Sequence, residues 1–166
     1  MNKIMLRVVR VFSIFSCFIA FSNLMFSEWN IEEPTTEISR ELAGEIFGRD
    51  FILESAVWKR DSLTIRSEGK VGAWPESEII IFLGSTDQTE WLVTPKIPQG
   101  EAPHIHMKFG KEHAAFPGIL MFTSEYSMYL KLVKRTGSTA HFQIHLSLPD
   151  YKKSFLIGIF NAEVAF

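Results

Sequence analysis

The chain has 166 residues, room for one domain with a short preceding segment. At 46% hydrophobic and 22% charged it has the make-up of a globular core, which excludes an intrinsically disordered chain. The net charge of −2 is unevenly spread, because Lys3, Arg7 and Arg10 are the only charges before Glu28. Beyond residue 22 there are 14 basic and 19 acidic side chains, a balance of −5 that excludes the basic stripe of a nucleic-acid binder.

The first ten residues, MNKIMLRVVR, carry three positive charges and no acid, and the 17 residues Val11–Ser27 carry no charge. A basic start before an apolar run is the pattern of a secretory signal, and the run is marginal for a bilayer-spanning helix of about 20 residues. Residues 1–22 therefore read as a hydrophobic targeting helix, a signal peptide or membrane anchor. Ala20 and Ser22 supply the small residues of a cleavage site. The rest is expected to be exported to the periplasm, cell surface or extracellular space. It meets the membrane only through this segment, anchored by residues 8–27 if cleavage does not occur. Ile14-Phe15-Ser16-Cys17 also resembles a bacterial lipobox, although Phe15 is bulky for that pattern. Cys17 is the only cysteine, so a domain cleaved near residue 22 has neither a disulfide nor a catalytic thiol.

Residues 23–42 include the acidic stretch NIEEPTTEISR and read as a linker, with the domain proper over 43–166. Ile46, Phe47, Phe51 and Leu53 bracket Gly48-Arg49-Asp50, which predicts an opening hairpin. Strands are expected over 51–59 and 62–66, then a loop over 67–77 carrying Gly69, Gly72 and Pro75. The apolar run 78–84 (EIIIFLG) predicts a central strand covered on both faces. Further strands are expected over 90–94, 103–109, 119–123, 126–134, 139–148 and 154–166. Short strands with regular turn signals and no helix after residue 44 predict an all-β fold. The expected form is one antiparallel β-sandwich, jelly-roll-like, of about 8–10 strands.

Alternation sorts the side chains of two of these strands. In 103–109, Ile105, Met107 and Phe109 share one face and His104, His106 and Lys108 the other. In 139–148, Ala140, Phe142, Ile144, Leu146 and Leu148 oppose Thr139, His141, Gln143, His145 and Ser147. Burying each apolar side chain is worth about 1.5–3 kcal/mol, so the apolar sets must face the core and four of the five histidines must face away.

That histidine face has three readings. The plainest is a solvated sheet surface, which the amphipathic imidazole tolerates. The second is a non-metal ligand surface. The third is a divalent metal site, such as zinc, using His104 and His106 with His145 or His141 as third ligand, provided that the two strands are neighbours. The positive charge of Lys108 on the same face works against a cation.

The run Gly100-(3)-His104-Ile105-His106-(5)-Glu112-(5)-Gly118 resembles the first motif of the cupins, a β-barrel family with metal-dependent members. The resemblance covers about 19 residues. Its glycine and histidine-to-glutamate spacings differ from the usual ones, and residues 137–141 lack the Pro–Gly pair of the second motif. It implies a metal-dependent enzyme with His104, His106 and Glu112 as ligands.

Trp74 and Trp91 are candidates for stacking on sugar rings, as in carbohydrate-binding modules, with core packing or loop anchoring as the plainer alternative. There is no GxSxG, P-loop, dinucleotide fingerprint or HExxH motif. The functional expectation is an exported binding or structural module of the cell envelope that needs no cofactor, with a glycan or an envelope protein as partner. The alternative is a cupin-like metal enzyme.

Overall fold

A computed structural model describes residue 31, residues 33–84 and residues 87–165. The targeting segment expected over residues 1–22 lies outside the described residues. All regular structure among the described residues is β, and none of it is a helix long and apolar enough to cross a membrane.

The expected opening hairpin is formed by β1 (Ala43–Ile46) and β2 (Arg49–Phe51). Its two central residues, Phe47 and Gly48, have φ of 53° and 77°, the pattern of a type I′ turn that matches the twist of paired strands. A bulky residue rarely adopts positive φ. Phe47 is held there because its ring stacks on Phe109 at 3.7 Å and its N–H donates to Ser154 Oγ at 2.8 Å.

β3 (Leu53–Lys59) and β4 (Ser62–Ser67) make the next hairpin. The expected loop over 67–77 contains a small hairpin of its own, β5 (Lys70–Val71) with β6 (Trp74–Pro75). Then come β7 (Ser77–Phe82), β8 (Glu90–Val93), β9 (His104–Phe109) and β10 (Gly118–Phe122). β11 (Ser127–Thr136), β12 (Thr139–Ser147) and β13 (Phe155–Val164) complete the chain. Among the described residues these are thirteen strands, more than the 8–10 expected, because the shortest pairs carry no alternation to read.

The main sheet runs β10-β9-β7-β4-β3-β13-β12-β11-β8, with β1 paired to β13 and β2 paired to β1. It is mixed, which corrects the expectation of a purely antiparallel arrangement: β13 pairs with β3 in parallel, Glu163 opposite Val57. A parallel pair needs a long crossover, and here nearly the whole domain separates the two strands, so no local turn announces the seam. Buried side chains from both ends of this path, such as Met107 and Leu130, belong to one apolar cluster. Only a curled sheet lets the ends share a core in this way, and right-handed strand twist provides the curl. Inside, Phe142 meets Trp58 edge-on at 5.6 Å and stacks on Phe160 at 5.7 Å.

Parity holds in the two key strands. Ile105, Met107 and Phe109 are buried, as are Ala140, Phe142, Ile144, Leu146 and Leu148. β7 departs from the expected cover on both faces. Ser77, Ile79 and Ile81 are buried, but on the other face Ile80 is half-buried and Phe82 exposed. It is central in pairing, between β4 and β9, without being central in a layered stack.

From residue 35, the stretch read as an acidic linker is held against the sheet. The Thr35 N–H donates to His145 Nδ1 at 2.8 Å, and Gln143 Nε2 donates to the Ile38 carbonyl at 3.1 Å. Ile38 and Leu42 are buried. The Ile159 N–H donates to Arg40 O and the Leu42 N–H to Ile159 O, so residues 40–42 lead directly into β1 along β13.

Candidate ligand-binding face

The sequence candidates fall on two separate parts of the sheet. His104 and His106 are on β9, while His141 and His145 are on β12, and β7, β4, β3 and β13 lie between. The two strands are thus not neighbours, as a shared metal site would require. His145 already accepts a backbone hydrogen bond at Nδ1, with Ser147 Oγ 3.5 Å from Nε2. Glu112 lies exposed in the loop after β9. Among the described residues no group of three or more His, Cys, Asp or Glu side chains is gathered closely enough to hold a metal ion. Trp91 is buried on the core side of β8, and Trp74 is half-buried with its indole N–H donating to Ala115 O.

Cross-strand pairing extends the outward face of β9 into a continuous surface. His104 lies opposite Phe82, which lies opposite Ser62. Met121, His106, Ile80 and Thr64 form the next row, and Ile119, Lys108, Glu78 and Arg66 the third. Phe82 and His106 meet edge-on at 4.8 Å. Burial, then the positive charge of Lys108 and the nearby His104, holds the His106 pKa below its ordinary value, so the ring is neutral at neutral pH.

One end of this face opens into a cleft of about 440 Å³. Asp61 from the β3–β4 turn, Phe82 at the end of β7 and His104 at the start of β9 form one side. Gln88, Trp91 and the loop carrying Glu101 form the other. That loop is built from tight turns, Ile97 N–H to Thr94 O and Glu101 N–H to Pro98 O. It is pinned by Tyr126, whose hydroxyl donates to the Pro103 carbonyl and whose burial pushes its pKa up. The Trp91 indole N–H is buried and has no hydrogen-bond partner among the described residues. Buried donors are rarely left this way in a folded protein.

At the other end, Glu78 is buried between Arg66 and Lys108. Lys108 Nζ donates to Glu78 Oε1 at 2.9 Å and Arg66 Nε to Oε2. Burial alone would raise the Glu78 pKa. The hydrogen bonds and charges of Lys108 and Arg66 outweigh it, and the net shift is downward. A depressed carboxylate pKa stabilises the fold fully above the ordinary value of 4.5, and the contribution is lost as pH falls through the folded-state value. Denaturant titrations between pH 6 and pH 3 are therefore expected to show stability falling with acidification, less steeply in Glu78→Gln. Parallel curves for the two proteins would show that this ion pair does not hold the sheet.

Asp61, Phe82, Gln88 and Glu101 in the cleft, and Arg66 and Glu78 beyond it, are absent from the sequence candidates. Only Glu78, a carboxylate opening an apolar strand, leaves a local signal, and its partners become visible only once register is known.

Comparison with protein-family models, with curated proteins and with solved structures finds no match to this chain.

Proposed function

We propose that the chain is an exported binding module of the cell envelope, a curled jelly-roll-like sandwich whose open end takes a glycan. One observation carries the glycan reading: planar polar side chains and aromatic rings share one cleft. Carboxylates, amides and imidazoles match the paired hydroxyls of a sugar, and an aromatic face matches its C–H groups. Asp61, Gln88, Glu101 and His104 supply the first kind and the exposed Phe82 the second, with the buried Trp91 forming the floor. A cleft of about 440 Å³ lies within the usual range for small-ligand pockets, ~300–1,000 Å³, and barrel mouths are a common place for them. The export reading rests on the charge and hydropathy pattern of residues 1–27.

The test is binding of the full chain to an oligosaccharide panel, repeated with His104→Ala. Removal of one hydrogen-bonding partner is expected to weaken binding about tenfold, from ~1.4 kcal/mol. Binding should survive chelation by EDTA. Loss on chelation would return the metal reading, and no binding across the panel would remove the glycan one.

A further inference from the structure

The second concavity on the same face has a chemistry of its own. It holds about 290 Å³ and is lined by Arg66, Trp74, Pro75, Glu78, Lys108 and Pro117. The β5–β6 hairpin brings Trp74 over the sheet, and the 3.2 Å hydrogen bond from its indole to Ala115 O ties it to the loop after β9. Below it, the buried Glu78 carboxylate positions two cations without using them up. Arg66 donates to Glu78 through Nε, so the outer edge of its guanidinium faces away from that carboxylate. The Arg66 side chain remains 49% exposed and that of Lys108 33%. Two positive groups against one negative leave a net positive pocket in a domain that is acidic as a whole.

We infer that this pocket binds an oxyanion carried on a sugar ring, with a carboxylate or sulfate between the Arg66 fork and Lys108 Nζ and the ring against Trp74. A guanidinium anchored at Nε presents its remaining N–H groups in the geometry that a carboxylate or sulfate accepts, and the anchoring is already made in the free protein. The volume suits a single ring rather than a longer segment. Lys108 and His104 lie four residues apart on one face of β9, about 13 Å at ~3.3 Å per residue, so one linear chain can reach both concavities. The ligand class that follows is an acidic polysaccharide, built from uronic acids or sulfated sugars. The inference rests on the glycan reading for the ring and on this pocket's own geometry for the charge.

The experiment titrates the full chain with glucuronate, glucose 6-sulfate, glucose and inorganic sulfate. The charged sugars are expected to bind, glucose much less, and added salt should weaken the binding. Arg66→Gln should weaken the charged sugars about tenfold or more. Arg66→Lys, which keeps the charge and loses the fork, should fall between, and serves the comparison if Arg66→Gln does not fold. Trp74→Ala should weaken the charged sugars and leave inorganic sulfate unchanged. Equal affinity for glucose and glucuronate, no binding of either charged sugar, or indifference to both Arg66 variants would overturn the inference. So would sulfate binding as tightly as the charged sugars. Charged-sugar binding that depends on Arg66, combined with oligosaccharide binding unaffected by His104→Ala, would remove the cleft reading and leave this one standing.

Discussion

Gly158→Ala is expected to be among the most damaging single substitutions in the domain. Gly158 has φ of 151°, a region that side chains with a Cβ rarely enter. It also lies where β13 exchanges one neighbour, β1, for another, β3. An added Cβ would lie 2.3 Å from Leu42 Cα and 2.4 Å from Leu42 N. Those are backbone atoms, and they cannot retreat cheaply. The Leu42 N–H donates to Ile159 O at 3.1 Å, and the Ile159 N–H to Arg40 O at 2.8 Å. Strain and clash together predict a loss of about 3 kcal/mol or more, read as a drop in denaturation midpoint. Gly137→Ala makes the control. Its φ of 58° is also positive, but nothing lies within 4 Å of the added Cβ, so about 1 kcal/mol is expected. Equal effects of the two substitutions would mean that β13 and Leu42 do not approach as described.

Asp150→Ala follows closely. From its sequence the stretch Pro149–Lys153 reads as a turn with solvated charges, but Asp150 is buried. Its Oδ1 accepts the Ser154 N–H at 2.9 Å, and its Oδ2 accepts the Ser154 hydroxyl at 3.0 Å and the Lys152 N–H at 3.1 Å. Ser154 Oγ in turn accepts the Phe47 N–H, so one carboxylate closes the β12–β13 connection and braces the opening hairpin. Removing it leaves buried donors without acceptors, for an expected cost of about 3 kcal/mol. Ser154→Ala, which removes the hydroxyl's two hydrogen bonds but keeps both backbone N–H bonds to the carboxylate, should cost less, about 1–2 kcal/mol. Hydrogen exchange adds a spatial check: in Asp150→Ala the β1–β2 amides should lose protection before those of β9. Unchanged stability in Asp150→Ala would show that the turn is held by other means.

How far the sequence could be read depended on whether the information was local. The inward set Ile105, Met107 and Phe109, and the run from Ala140 to Leu148, were legible because a one-residue slip would expose an entire apolar face. The opening hairpin was legible from Gly48. Strand order was not, because neither β3 nor β13 carries any mark of the other, and the parallel seam between them separates His104 from His145. The same limit hid the candidate cleft, which draws Asp61, Gln88 and His104 from three distant parts of the chain. Glu78 and Asp150 were misjudged or passed over for a related reason. A charged residue looks solvated until its hydrogen-bonding partners are known.

The most direct test of the binding face is to titrate the isotopically labelled full chain with a short oligouronate and follow backbone and indole amide resonances. The predicted result is a set of shifts running along one surface, from Glu101 and His104 through His106 to Lys108, Arg66 and the Trp74 indole, with β12 and β13 silent. Shifts centred on His141 and Asn161, or no shifts at all, would contradict it.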